Sequence, residues 1–81
     1  MKHKIINKTE INVNHLLIAI ELIAENESEI TAIKNVANIN ATEEERELIS
    51  NYLLFCLGDK YSVVDLNNQK QNYFLLKVFK N

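Results

Sequence analysis

The chain has 81 residues, of which 47% are hydrophobic, with one glycine, one cysteine and no proline. That length makes a single domain, the apolar content excludes a wholly disordered chain, and a lone cysteine excludes an internal disulfide. The formal net charge is only −2, which excludes the strongly basic balance typical of nucleic-acid binders.

The charge is unevenly spread. Lys2, Lys4 and Lys8 give residues 1–9 a charge of +3. Residues 10–47 carry nine glutamates against Lys34 and Arg46, a charge of −7, and residues 48–81 return to +2. An acidic middle repels a phosphate backbone and suits a basic protein partner. The abundance of Asn, Ile and Lys matches AT-rich bacterial or bacteriophage coding sequences. Asn7 to Glu10 fall where the apolar run of a secretory signal would begin. Leu16 to Ala24 is too short to cross a bilayer and contains Glu21. The expectation is a cytoplasmic protein, of its producer or of an infected host, with no membrane partner.

In chain order, residues 1–9 read as an N-terminal arm or short edge strand whose lysines discourage unwanted pairing. A first helix is predicted from about Val13 to Glu25, capped by Asn12. Its inner set is Val13, Leu16, Leu17, Ile20, Ile23 and Ala24, widened by Ile18, Ala19 and Leu22. A second helix is predicted from about Glu29 to Ala37, with Asn26 or Ser28 as cap and Ile30, Ile33, Val36 and Ala37 inside. The clearest helix follows. Thr42 and Glu45 form a capping box, Glu43, Glu44 and Glu45 suit the positive end of the helix dipole, and Gly58 ends the helix. Leu48, Ile49, Tyr52, Leu53 and Cys56 mark one apolar face. Tyr52 to Leu57 is apolar all round and demands cover, from the fold or from a partner.

After Gly58 the period becomes two. Tyr61 to Leu66 and Tyr73 to Phe79 read as a hairpin joined by a polar turn over Asn67 to Gln71. Phe74, Leu76, Val78, Val64 and Leu66 are expected against the helices. Tyr73, Leu75 and Phe79, with Tyr61 and Val63, are expected on the outer face. The fold class is therefore α+β: a three-helix cluster over residues 12–57, a C-terminal hairpin over 60–80, and an arm able to add a third strand. That element order resembles the winged helix-turn-helix layout, which implies a third helix that reads DNA. Here that helix opens on Glu43, Glu44, Glu45 and Glu47, against a single Arg46.

No residue pattern points to catalysis, a metal or a cofactor. His3, His15 and Cys56 lack zinc-site spacing, Ser28, Ser50 and Ser62 have no base nearby in sequence, and one glycine makes no phosphate loop. Cys56 reads as a small hydrophobe of the helix. The expected function is a small non-enzymatic regulator that binds another protein: an inhibitor, adaptor or antirepressor of the kind mobile elements encode, anti-defence roles included. The candidate contact residues are Glu43, Glu44 and Glu47 on the acidic helix, and Tyr61, Tyr73, Leu75 and Phe79 on the hairpin. A large apolar outer face needs cover by the N-terminal arm, by a partner, or by a second copy in a homodimer. The alternative is a winged-helix-like DNA-binding transcriptional regulator.

Overall fold

The predicted first helix is a strand. The computed structural model, which describes residues 1–81, contains β1 (Lys2–Glu10), β2 (His15–Ile23), α1 (Glu27–Ala37), α2 (Glu43–Leu57), a single 3-10 turn (Gly58–Lys60), β3 (Tyr61–Lys70) and β4 (Tyr73–Lys80). The four strands form one antiparallel sheet in the order β1-β2-β4-β3. This corrects the expected three-helix cluster with a C-terminal hairpin. There are two helices, residues 12–57 are not all helical, and the winged-helix element order is absent. What remains is a small, compact α+β domain.

The misreading has a physical cause. Along β2, Leu16, Ile18, Ile20 and Leu22 are buried and alternate with Leu17, Ala19, Glu21 and Ile23. The outward set is itself largely apolar, so the two-residue period is masked, and a short apolar run cannot be assigned by period alone. Asn12 deepened the error. Its Oδ1 accepts from the N–H groups of Asn14 at 2.9 Å and His15 at 3.0 Å. The side chain that reads as a helix cap thus builds the turn between β1 and β2, a role open to any short polar side chain that can bond its own backbone.

The N-terminal arm is a full strand, paired to β2 and not to the C-terminal hairpin. It extends the sheet in its own plane. A bulge at Ile6 shifts its register between Ile5 and Asn7, and this bulge, with three lysines, blunts the exposed edge. At the other edge β3 shifts register between Val63 and Asp65 and again between Asn68 and Lys70. Each extra residue reverses which side chains face inward. Tyr61 and Val63 consequently pack against the core and Val64 is exposed, the opposite of the expected sides. Leu66, opposite the buried Leu76, is on the helix side as expected and 37% exposed at the sheet edge. Phe74, Leu76 and Val78 are buried as expected. The turn is also shorter than predicted: β3 runs on to Lys70, and Gln71 turns the chain at φ 48°.

Both helices lie on one face of the sheet. Leu16, Ile18, Ile20 and Leu22 of β2 and Phe74, Leu76 and Val78 of β4 meet Ala32 and Ile33 of α1 and Ile49, Leu53 and Leu57 of α2 in one core. Local chemistry fixes where the helices begin. Asn26 Oδ1 accepts the Glu29 N–H at 2.9 Å. Thr42 Oγ1 accepts the Glu45 N–H at 3.2 Å, and Glu45 Oε1 accepts the Thr42 N–H at 2.9 Å. Gly58 ends α2 at φ 65°, ψ −153°, a region open essentially to glycine alone.

The end of α1 is less well matched to its sequence. The Asn40 N–H donates to the Asn35 carbonyl at 2.8 Å and the Ile39 N–H to the Val36 carbonyl at 3.2 Å, the paired bonds of a Schellman cap. Its left-handed position, usually glycine, holds Ile39 at φ 58°, and that side chain is 93% exposed. A β-branched residue costs about 1–2 kcal/mol there, partly offset by the backbone freedom that glycine brings to the unfolded chain. Ile39→Gly is therefore expected to raise stability by about 1 kcal/mol. A higher urea midpoint at unchanged slope would show it, and an unchanged midpoint would contradict this cap geometry.

Candidate protein-binding surface

Docking α2 on the sheet leaves one of its stripes in solvent. Glu44, Glu47, Leu48, Asn51, Leu54 and Phe55 are all exposed, and their spacing of three and four places them on one side of the helix. Glu43 joins the stripe at its start. It begins acidic and ends apolar: Leu48 is 41% exposed, Leu54 50% and Phe55 76%. The apolar run from Tyr52 to Leu57 is thus only half covered by the fold. Leu53 and Leu57 are buried, Tyr52 and Cys56 half-buried, and Leu54 and Phe55 open.

The acidic half is sorted by hydrogen bonding. Glu45 accepts the Thr42 N–H and also a 2.9 Å bond from Asn35 Nδ2. Those donors, the Thr42 amide foremost, hold its carboxyl below the usual glutamate range. Glu45 is thereby tied to the fold, joining α1 to the cap of α2. Glu43, Glu44 and Glu47 take part in no salt bridge. Together with Thr42 they line a shallow depression at the start of α2, and Glu44 also borders Glu27 and Leu48 in the cleft between the helices.

The apolar half has neighbours on the sheet. Phe55 lies 6.0 Å from the Tyr52 ring, centroid to centroid. With Ile5, Lys8 and Tyr61 it walls a groove of about 320 Å³ beside Gly58. The Lys8 Nζ stands 6.0 Å from the centroid of the Tyr61 ring, at the outer limit of a cation–π contact. Tyr61 therefore borders the end of the α2 stripe and does not share a face with the other hairpin residues.

Tyr73, Leu75 and Phe79 lie on the opposite, helix-free face of the sheet. The N-terminal arm does not cover them, because β1 continues the sheet beyond β2. Their surroundings are mixed. Leu75 sits between Ala19 and Asn67, Tyr73 between Glu21 and Lys70, and Lys77 between Leu17 and Asp65. The Glu21 carboxylate beside Tyr73 holds its hydroxyl above the usual phenol range. Phe79 packs edge-on against His15, with ring centroids 5.2 Å apart. The seven residues singled out in the sequence are thus divided between two faces. Leu48, Leu54 and Phe55 were missed, although their offset from Ile49, Leu53 and Leu57 was present in the helix period.

The remaining reactive groups are dispersed. His3 Nδ1 is 2.9 Å from the Tyr52 hydroxyl, and His15 Nδ1 is 3.1 Å from Asn12 Oδ1. Cys56 is half-buried, and burial pushes its thiol up, which disfavours the nucleophilic thiolate. No helix is long and apolar enough to cross a membrane. No protein-family model, curated protein or solved structure matches the chain.

Proposed function

We propose that the protein is a small, non-enzymatic regulator that acts by binding another protein through the outward stripe of α2. The observation that carries this reading is Phe55, a large aromatic side chain 76% exposed on a rigid helix. Truncating buried aromatic anchors is often what costs a protein interface most. Leu54 and Leu48 extend the apolar contact, and Glu43, Glu44 and Glu47 supply a negative rim. The partner that fits is an amphipathic segment with apolar side chains at one end and Lys or Arg at the other. Opposite charge at a rim speeds encounter and fixes orientation more than it tightens the complex. Inhibitor, adaptor and antirepressor roles, including roles against host defence, all use such a surface.

The helix-free sheet face is a weaker choice. Its apolar residues shield one another across strands and are interrupted by Glu21 and Lys77. The test is affinity capture from a bacterial lysate with wild-type protein, Phe55→Asp, Glu44→Lys with Glu47→Lys, and Tyr73→Ser with Phe79→Ser, each checked for fold by circular dichroism. A captured basic protein should be lost with Phe55→Asp. It should be retained less, and with weaker salt dependence, after the double charge reversal. It should be unaffected by the sheet-face pair. Loss confined to the sheet-face pair would overturn the assignment to α2.

A further inference from the structure

A second concave site lies at the other end of the helical layer. The last residues of β2, one stripe of α1 and the β3–β4 turn line an open groove of about 660 Å³. Sites for small molecules fall in the range of about 300–1,000 Å³ and combine apolar walls with a few fixed polar groups. The floor is Leu22 and Ile33, both buried, and the walls carry Ile23, 42% exposed, and Ile30, 50% exposed. Ile30 was expected inside the fold. Here it stands in the groove wall with no covering element.

The groove is pre-formed. The Leu22 N–H donates to the Asn72 carbonyl at 2.9 Å, and Asn72 Nδ2 donates to the Leu22 carbonyl at 2.8 Å. This two-way clamp locks the hairpin turn to the end of β2, so the wall need not be ordered when a ligand enters. Lys34 of α1 and Asn38, the residue that caps its C-terminus, line the groove with Gln71. Lys34 is the only cation there and has no carboxylate within salt-bridge distance. The single acid of the lining, Glu21, is the cross-strand partner of Tyr73 in the outward set of β2.

We propose that this groove binds a small anionic amphiphile, a free medium-chain acyl carboxylate, with its tail along Ile30, Ile33 and Ala37 of α1 and its head at Lys34. Burial of the tail supplies most of the attraction, in proportion to the apolar area removed from water. Lys34 selects the sign of the head. The Asn38 and Gln71 side chains line the same groove. The site is separate from the α2 stripe and does not depend on the protein-binding reading.

The experiment is a titration with decanoate below its micellar range, read by amide chemical shifts. Saturable changes are expected at Leu22 to Ala24, Ile30 to Asn38 and Gln71 to Asn72. Lys34→Glu should weaken binding about tenfold, since it replaces an attraction with a repulsion. Ile30→Ser should weaken it as well, and Lys77→Glu on the far face should leave it unchanged. The proposal is overturned by shifts that do not saturate, by changes centred on α2, by decyltrimethylammonium binding as tightly as decanoate, or by binding to anionic lipid vesicles with none to the monomer.

Discussion

Shortening Ile18 to alanine is expected to destabilise the protein by about 2–5 kcal/mol, whereas Leu17→Thr should cost about 1 kcal/mol or less. Ile18 is fully buried between β2 and the helices, while Leu17 points to the helix-free face and is half-buried by its strand neighbours. Threonine suits an exposed strand position. A helix over residues 13–25 would give the reverse order, because it places Leu17 in the inner set and Ile18 at its margin. Urea midpoints followed by circular dichroism compare the two variants directly. A domain of this length has roughly 4–12 kcal/mol of stability in all, so Ile18→Ala should move the midpoint far. A larger loss from Leu17→Thr than from Ile18→Ala would exclude the strand.

That pair of neighbours also marks where the sequence stops being readable. Boundaries set by local chemistry, a side chain bonding to nearby backbone or a glycine in a backbone region closed to other residues, were legible. Thr42 with Glu45, Asn26 with Glu29, and Gly58 all do what their chemistry implies. The identity of β2 was not, since both of its faces are apolar and Asn12 serves a turn as readily as a cap. Parity in β3 failed for another reason. The bulges at Val64 and Gln69 depend on how the strand fits β4, and nothing local to those residues announces them.

The binding surface was legible in part for the same reason. Glu43, Glu44 and Glu47 are acidic wherever α2 sits. Which apolar residues continue that surface depends on which side of α2 the sheet takes, and only the docked helix separates Leu54 and Phe55 from Leu53 and Leu57. The outward direction of Tyr73, Leu75 and Phe79 followed from β4 alone, a strand with strict alternation and no bulge of its own. Tyr61, three residues before the first β3 bulge, was assigned to the wrong face. The groove at Lys34 joins three segments distant in the chain, and no local pattern could have assembled it.

Phe74→Ala is expected to cost about 3–5 kcal/mol, a large share of the whole. The sheet is built from two hairpins, β1–β2 and β3–β4, joined within the sheet by the ladder of β2 and β4. Three inward pairs fill that seam: Leu16 with Val78, Ile18 with Leu76, and Ile20 with Phe74. Phe74 is the only aromatic ring among the twelve buried residues, and its loss would leave a cavity between the halves that aliphatic neighbours cannot close without moving a strand. Because the helices bridge both hairpins, the halves should still unfold together. Tyrosine fluorescence reports mainly α2 and the C-terminal hairpin, through Tyr52, Tyr61 and Tyr73, whereas far-ultraviolet circular dichroism reports the entire backbone. The two signals should therefore shift by the same amount in Phe74→Ala and remain coincident, as expected of a two-state domain. A fluorescence transition that moves while the dichroism transition splits would mean that the N-terminal hairpin holds together without the seam, and that Phe74 stabilises only its own half.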